Sequence, residues 1–338
     1  MFDGGLAELH THLGGSVAAE MMWSLAHEQG IALPVKDYWE FADLVTVSDP
    51  RGVEDLDALD AIYHWTELIQ SSPLAVERSV HAAIGGAFRS QGITTLELRF
   101  NPMKRNRGGE RDLDHIILAA VRGLDRASLE YPQVRAGLIL MMDRRFTAHQ
   151  NMIIVEKAAR YASRGVVGVD IAGPRPVAGR FDYTQIREHV DLARELGLGV
   201  TIHVGEEGGP FGTEEVGEVA ESLRPDRIGH GILAAHDPEL MALLRGADIT
   251  LEICPTSNLL TKALPDEAAV RDTLRTFAEH SVPFTIATDG PEMMRTHLRD
   301  EFELLLRIGA LDESQLSEAN RRGHEASFVT LEPVLQRA

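Results

Sequence analysis

Eight short runs of apolar and β-branched residues recur along the chain, and longer stretches with helical spacing separate them. The runs cover residues 6–12, 93–100, 134–142, 166–171, 199–203, 226–230, 248–253 and 283–288. Between them, segments such as 151–164, 183–196 and 267–280 place apolar residues three and four apart, which is typical of amphipathic helices. Strands that alternate with helices predict parallel βα units, and eight of these units predict an α/β fold of the (β/α)8 TIM-barrel type.

The spacing of the runs is irregular once, because about 80 residues separate the first run from the second. Helical patterns at 55–69 and 74–90 predict two or three helices there, within a helical insertion at about 16–91 that is placed to cover the barrel mouth. The residues from about 294 onward predict helices that close the barrel. No linker or internal repeat marks a second domain, so residues 1–338 are expected to form one barrel domain.

Nearly every run ends on its C-terminal side in a polar residue or a glycine. These residues are His10, His12, Arg99, Asn101, Asp143, Gly173, His203, His230, Glu252 and Asp289. In barrels of this kind the active site lies at the C-terminal ends of the strands, so residues that are distant in sequence converge on one pocket. The sequence therefore predicts a functional site at this face.

Three histidines and one aspartate predict a divalent metal site at that face. His10 and His12 are two positions apart on an extended run, so both imidazoles project from the same side. His203 and Asp289 end two other runs, and an aspartate buried in a barrel mouth is costly without a cation or hydrogen-bond donors. Alone, the His10–His12 pair would equally fit a packed core histidine beside an exposed one. The four residues together predict a mononuclear zinc site.

Glu206 follows the predicted ligand His203 by three residues, and His230 ends another of the apolar runs. Neither residue is needed to hold the metal. A carboxyl group and an imidazole beside a metal-activated water are the parts of a hydrolase that moves protons. Residues 1–338 are therefore predicted to be a single metal-dependent hydrolase barrel. The ten other histidines fall mostly on helical or loop stretches, where a surface or packing role is expected.

Six motifs of the chain resemble the adenosine deaminase family of the amidohydrolase superfamily. They are ELHTHL at 8–13, VDIAG at 169–173, HVGE at 203–206, RIGHG at 227–231, LEICPTSN at 251–258 and TD at 288–289. The motifs follow the family's order from about Glu8 to Phe328, so the resemblance covers almost the whole chain. Each fragment is weak evidence, but the set is specific.

The resemblance implies a ligand set and several roles. One Zn²⁺ ion per chain would be held by His10, His12, His203 and Asp289. Glu206 would give a proton to purine N1, His230 would orient and help deprotonate the zinc-bound water, and the backbone N–H of Gly173 would meet purine N3. The implied reaction is hydrolytic removal of the 6-amino group of an adenine nucleoside.

The chain departs from the family pattern at Gly14 and Gly290. Family members usually have an acidic residue at the first position, which binds the ribose 5′-hydroxyl, and a second aspartate at the other, which contacts purine N7. A buried polar group that loses its partner costs about 1–3 kcal/mol, so plain adenosine is expected to bind less well than in a typical member. Gly14 is also expected to leave room for a larger 5′ substituent.

A basic segment, 101–111, follows the second run and carries four positive charges. By position it lies on the catalytic face, where Arg105 and Arg107 are expected to bind an anionic tail of the substrate. A solvated loop that balances acidic neighbours is the alternative. With Gly14 and Gly290, this segment favours a 5′-substituted adenine nucleoside such as 6-aminodeoxyfutalosine of menaquinone biosynthesis, whose 5′ side carries a carboxylated aromatic group.

The sequence alone leaves three other hypotheses about function open. Adenosine deaminase is the second hypothesis, and adenine deaminase is the third, because a free-base enzyme needs neither 5′ space nor a basic loop. A hypothesis from a different functional class is a binding protein: a metal-free barrel that binds purines without catalysis. Measuring the zinc content of the purified protein would discriminate it from the enzymes.

The net charge limits the partners that the protein is expected to have, and the cysteine content indicates its compartment. The chain has 33 Lys and Arg against 52 Asp and Glu, a formal net charge of −19, which opposes binding to nucleic acid and to anionic lipid. The expected partners are a small adenine nucleoside and water, with no nucleic acid and no membrane. The single cysteine, Cys254, the lack of a secretory signal pattern and the lack of a long apolar run predict a cytoplasmic protein. Nothing in the sequence specifies an oligomeric state.

Overall fold

Eight parallel strands form the centre of the molecule. This computed structural model describes residues 5–53, 56–106, 109–174, 180–206 and 211–329. The strands are β1 Leu6–His12, β2 Ile93–Phe100, β3 Arg135–Asp143, β4 Val166–Ala172, β5 Gly199–Val204, β6 Arg227–His230, β7 Thr250–Ile253 and β8 Phe284–Ile286. They pair in chain order within one sheet, and helices surround it. The predicted (β/α)8 TIM barrel is confirmed.

The barrel closes between its last strand and its first. Thr11 forms a parallel bridge with Asp289, just past β8. The backbone N–H of His12 donates to the carbonyl of Asp289 at 2.7 Å, and the N–H of Asp289 donates to the carbonyl of His10 at 2.9 Å. This seam therefore places Asp289 directly beside the two histidines of β1.

Helices cover the outside of the sheet in the described part of the chain. The α-helices are α1 Ala19–Glu28, α2 Tyr38–Val45, α3 Leu56–Ile69, α4 Pro73–Gln91, α5 Leu113–Glu130, α6 Ala148–Arg160, α7 Arg187–Glu195, α8 Gly212–Glu218, α9 Pro238–Gly246, α10 Pro255–Leu260, α11 Glu267–Glu279, α12 Pro291–Met294, α13 Leu298–Arg307 and α14 Glu313–Glu325. Short 3₁₀ segments span Leu13–Gly15, Met103–Arg105, Ala162–Arg164, Tyr183–Ile186 and Ile232–His236, and a π-helical segment spans Val219–Leu223. The apolar faces of the helices pack on the strands and form the main core.

The insertion between β1 and β2 contains four α-helices, α1 to α4, rather than the two or three that the sequence predicts. The side chain of Asp37 accepts hydrogen bonds from the backbone N–H groups of Trp39 and Glu40, which caps the short helix α2 at its start. Ser72 caps α4, and Gly92 ends it with a φ of 72°. The insertion thus packs α3 against the barrel mouth.

The C-terminal segment after α14 closes the other end of the barrel. The ring of Phe328 lies against Gly168 and Gly199 at the starts of β4 and β5, where a Cβ on either glycine would approach the ring within 2.8 and 2.3 Å. The guanidinium carbon of Arg227 lies 3.6 Å from the centre of the same ring. The tail was predicted to be helical to its end, but residues 326–329 are not in a helix, and those from 330 lie outside the described residues.

Strands β1 and β2 match the predicted runs, and the ends of the other six strands differ from the predicted ends by at most two residues. Asp248 has a positive φ of 56°, so β7 begins at Thr250 instead of at residue 248. Within the described ranges, none of the helices combines the length and apolar character that crossing a lipid bilayer requires.

Candidate active site

A pocket opens at the C-terminal ends of the strands. Its empty volume, including the solvent-open mouth, is about 760 Å³, which lies within the usual range for small-molecule sites. The barrel contributes His12, Asn101, Asp143, Gly173, His203, Glu206, His230 and Asp289 to its wall, and the insertion contributes Gly14, Asp60, Tyr63 and Glu67. The pocket therefore contains most of the residues that the sequence singles out.

Four side chains point at one place in the floor of this pocket. The Nε2 atoms of His12 and His203 lie 3.2 Å apart, and Oδ1 of Asp289 lies 3.2 Å from Nε2 of His12 and 3.7 Å from Nε2 of His10. The Nε2 atom of His10 is buried and has no hydrogen-bond partner among the described residues. Zinc–nitrogen bonds of 2.0–2.1 Å in a tetrahedral site imply ligand separations of about 3.4 Å. The three measured separations lie near this value, and the ligand atoms of the three histidines all lie within 4.8 Å of one another.

Two of these imidazoles are held from behind by buried carboxylates. Nδ1 of His10 lies 2.7 Å from Oε2 of Glu252, and Nδ1 of His203 lies 3.0 Å from Oδ1 of Asp170. Carboxylates in this position fix the tautomer and the ring orientation of metal-binding histidines. Glu252 and Asp170 therefore direct the Nε2 lone pairs of both rings toward the common point.

The charges of the four side chains fit a divalent cation. Burial, with the positive charge of Arg99, lowers the pKa of His10 and His203 well below the ordinary range, and burial also lowers the pKa of His12. All three rings are therefore neutral and able to donate lone pairs. Burial raises the pKa of Asp289 to about 6, a desolvation cost that a bound cation would offset. The donor set of three imidazoles and one carboxylate fits Zn²⁺.

His230 and Glu206 lie beside the four converging side chains. Nε2 of His230 is 3.5 Å from Oε2 of Glu206, and Nδ1 of His230 forms a 2.9 Å hydrogen bond with the side-chain amide of Asn258. Burial lowers the pKa of His230, so its ring is neutral near pH 7 and able to accept a proton. A carboxyl group and a neutral imidazole within reach of each other can pass protons to a bound molecule.

Two residues of the site have left-handed backbone conformations. His230 has a φ of 61° and Asp289 has a φ of 65°. Such conformations cost about 1–3 kcal/mol for a residue other than glycine, and the surrounding structure must hold them in place. At Asp289 the two hydrogen bonds of the barrel seam do so, and the result is a carboxylate that faces the imidazoles.

Comparison with known proteins identifies the family. The family model described as "Adenosine deaminase" matches residues 5–334. The chain belongs to the adenosine deaminase family. It is 30% identical over 327 residues to an adenosine deaminase of Shewanella denitrificans, and this match covers 96% of the chain and 94% of the relative. Membership of the family, within the amidohydrolase superfamily, confirms the resemblance that the six motifs indicate.

Solved structures share the fold. An adenine deaminase from Arthrobacter aurescens has a TM-score of 0.85 at 20% identity, with 97% of this chain and 95% of that chain covered. An amidohydrolase from Burkholderia ambifaria, solved with bound Zn, has a TM-score of 0.84 at 21% identity, with 98% and 88% covered. These likenesses show that both proteins share the barrel fold of this chain.

The expectation that Gly14 leaves open space is wrong. A Cβ at Gly14 would lie 2.9 Å from Cδ1 of Tyr63 and 3.0 Å from Oγ1 of Thr66, so both side chains from α3 already fill the space beside the glycine. A Cβ at Gly290 would lie 3.2 Å from the hydroxyl oxygen of Tyr63, and a Cβ at Gly15 would lie 3.3 Å from it. One tyrosine therefore occupies the space beside three glycines, including both positions where the chain departs from the family pattern.

Tyr63 is a pocket residue that the sequence did not indicate. Its ring lies 5.7 Å from the ring of His12, and its hydroxyl is buried without a hydrogen-bond partner among the described residues. Burial, with the nearby charge of Asp289, raises the pKa of Tyr63 well above its ordinary value, so the hydroxyl keeps its proton. No short motif could have identified it, because it reaches the site only through the packing of α3 on the barrel mouth.

The start of the basic segment lies at the pocket, but Lys104 and Arg105 face carboxylates. Arg105 is buried in the pocket wall with Nη1 3.9 Å from Glu67, and Nζ of Lys104 lies 2.8 Å from Oδ2 of Asp143. Arg107 lies outside the described residues. Lys104 and Arg105 therefore have acidic neighbours in the pocket wall, and Arg105 is buried rather than solvated.

Gly173 lies in the pocket wall where the backbone turns sharply. Its φ is 95°, and a Cβ there would lie 2.8 Å from Oδ2 of Asp143. Its carbonyl accepts a hydrogen bond from the side chain of Arg144. Only glycine fits this conformation and this approach, so the backbone of Gly173 is itself part of the pocket surface.

Proposed function

We propose that this protein is a zinc-dependent hydrolase that removes the 6-amino group of an adenine nucleoside as ammonia. The observation that carries the proposal is the convergence of His10, His12, His203 and Asp289 on one point beside Glu206 and His230. Family membership supports the reaction class, and the zinc-bound amidohydrolase of the same fold supports the choice of metal.

In the proposed mechanism, His10, His12, His203 and Asp289 would hold Zn²⁺, which when bound would lower the pKa of a water molecule enough for it to react near pH 7. His230 orients this water and takes one of its protons as the oxygen bonds to purine C6. Protonated Glu206 gives its proton to purine N1, so the ring nitrogen does not build up negative charge. The proton on His230 leaves with the amino group as ammonia, and the new hydroxyl returns a proton to Glu206. The product is the 6-oxopurine.

Gly173 is the proposed contact for the other edge of the purine. Its backbone forms part of the pocket wall, and we assign its N–H to purine N3. A hydrogen bond at that position would fix the ring so that C6 faces the attacking water. Holding the two reactants in this orientation is worth several kcal/mol of the activation barrier.

For the substrate we propose an adenine nucleoside with an anionic group on its 5′ side, and aminodeoxyfutalosine is the member to test first. Support comes from the positive side chains of Lys104, Arg105 and Arg144 in the pocket wall. Arg105 lies with Nη1 3.9 Å from Oε1 of Glu67, so the proposal requires an incoming carboxylate to compete with Glu67 for this guanidinium. Gly14 gives no support to a larger 5′ group, since Tyr63 fills the space beside it.

Adenosine is the second candidate substrate. Asp60, Glu67 and Asp143 place three carboxylates in the same part of the pocket wall, and carboxylates accept hydrogen bonds from ribose hydroxyls. They also neutralise the cations that an anionic tail would need. The relatives at 28–30% identity carry the name adenosine deaminase.

The test is a deamination assay with adenine, adenosine and aminodeoxyfutalosine on protein of measured zinc content. We expect one zinc per chain and the highest kcat/KM for aminodeoxyfutalosine. Arg105→Gln should raise KM for that substrate and leave KM for adenosine nearly unchanged, whereas Arg111→Gln, an exposed change in the same segment, should alter neither. A higher kcat/KM for adenosine would replace the 5′-substituted substrate with the second candidate. Metal-free, inactive protein would overturn the proposed function.

A further inference from the structure

Arg99 lies at the centre of the barrel, fully buried behind the four side chains that converge in the pocket. Its Nη1 donates to Oδ2 of Asp170 at 2.9 Å, and its Nη2 donates to Oε2 of Glu252 at 2.8 Å. Nη2 also donates to the backbone carbonyl of Leu9 at 2.6 Å. One guanidinium therefore joins strands β1, β2, β4 and β7 across the interior.

All three groups that Arg99 holds lead directly to a histidine of the site. Oε2 of Glu252, the same oxygen that Arg99 binds, lies 2.7 Å from Nδ1 of His10. Both oxygens of Asp170, including the Oδ2 that Arg99 binds, lie 3.0 Å from Nδ1 of His203. Leu9 precedes His10 in β1, so its carbonyl fixes the backbone that carries this ring.

We propose that Arg99 is a positioning residue that holds His10 and His203 in the geometry that binds the metal. The proposal rests on the zinc site of the proposed function. A planar guanidinium binds two carboxylates in a fixed relative orientation, whereas a lysine ammonium acts as a single flexible point charge. Removing the guanidinium would leave two buried carboxylates without their shared partner and free both histidine rings to reorient.

Arg227 provides a matched control inside the same barrel. It is also fully buried, and its Nε donates to Glu252 at 2.6 Å, but through Oε1 rather than through the oxygen that binds His10. Its other contacts are Glu97, the carbonyl of Ala326 and the ring of Phe328, all away from the pocket. A substitution there tests the general effect of losing a buried arginine.

The experiment compares zinc release from the wild type, Arg99→Gln, Arg99→Lys and Arg227→Gln. Each full-length protein is loaded with zinc alone, and release into an excess of a coloured chelator is followed over time. We expect Arg99→Gln to release zinc 10- to 100-fold faster, the scale for residues that support metal ligands. Arg99→Lys should lie between this variant and the wild type, and Arg227→Gln should stay near the wild type. Thermal unfolding of the zinc-free proteins reports the separate effect on folding.

Two results would overturn the role of Arg99 alone. One is a rate of zinc release from Arg99→Gln that equals the wild-type rate. If the glutamine variant does not fold, the same result from Arg99→Lys would count. The other is equal acceleration by Arg227→Gln, which would assign the effect to loss of barrel packing. A wild-type protein that takes up no zinc would overturn the proposed function as well, so the two failures are distinguishable.

Discussion

The Nε2 atoms of His12 and His203 lie 3.2 Å apart, although 191 positions separate the two residues in the chain. Because Nδ1 of His203 is bound to the carboxylate of Asp170, its Nε2 carries a lone pair toward His12 and the common point. An ion at that point would bind the folded state and not the unfolded chain. We therefore expect chelation of zinc to lower the thermal midpoint, and zinc at 100 times its Kd to restore about 2.7 kcal/mol of stability. A thermal midpoint that the chelator leaves unchanged would contradict a metal bound at this point.

Asp289→Ala and His203→Ala are expected to lose zinc and deaminase activity together, since each removes one of the four proposed ligands. Elemental analysis of the purified variants and the deamination rate provide the two measurements. His236→Ala, which changes an exposed histidine beyond β6, serves as the control and should keep both. Full zinc occupancy with near-normal turnover in either ligand variant would exclude that residue as a ligand.

Glu206→Gln is expected to keep its zinc while kcat falls by about 100-fold or more, the scale for loss of a positioned proton donor. The glutamine keeps the size of the side chain but cannot give a proton to purine N1. Glu214→Gln, an exposed change on α8, is the matched control. A wild-type kcat for Glu206→Gln at full zinc occupancy would rule out the assigned acid role.

Gly14 and Tyr63 are expected to be energetically coupled. Gly14→Ala places a Cβ 2.9 Å from the tyrosine ring, so it should destabilise the protein, and Tyr63→Ala should remove most of that penalty. The double variant should therefore be more stable than the sum of the single changes predicts, by 0.5–3 kcal/mol, the usual range for residues in contact. Denaturant unfolding of the wild type, the two single variants and the double variant measures this coupling. Additive changes in the free energy of unfolding would show that the two residues are not coupled.

Most of the barrel and the convergence of the proposed ligands follow from local sequence pattern. The two-residue spacing of His10 and His12 puts both on one face of β1, and polar residues at strand ends meet because parallel strands share one orientation. His203 and Asp289 were found by the same rule. These inferences need only the common direction of the strands and the closure of the barrel. The alternation of strands and helices in the sequence predicts both.

The environment of those residues was not predictable in the same way. Tyr63 comes from an insertion helix, and its contact with Gly14 and Gly290 depends on how α3 packs on the mouth. Arg99 and Glu252 stand at strand ends like the ligands, but which side chain pairs with which depends on register and barrel shear. Sequence pattern specifies which face a side chain takes, whereas pair contacts across a barrel require the assembled geometry.

A pH effect on stability is expected from Glu301, a buried carboxyl on α13 that accepts hydrogen bonds from the N–H of Thr256 and the hydroxyl of Thr296. Burial raises the pKa of Glu301 to about 7 from an ordinary 4.5. Between these values the folded protein binds more protons than the unfolded chain, so the free energy of unfolding falls as pH rises through this window. The full loss from this one group is on the order of 3 kcal/mol.

Glu301→Gln cannot ionise, so it should remove this part of the pH dependence. Comparing denaturant unfolding of chelator-treated wild type and variant at pH 5 and pH 8, we expect Glu301→Gln to gain stability relative to the wild type at the higher pH. Glu303→Gln, an exposed change on the same helix, should follow the wild type at both values. Parallel pH profiles for Glu301→Gln and the wild type would mean that Glu301 ionises equally in both states, and that the desolvation of its carboxylate is offset by neighbours beyond the two threonines.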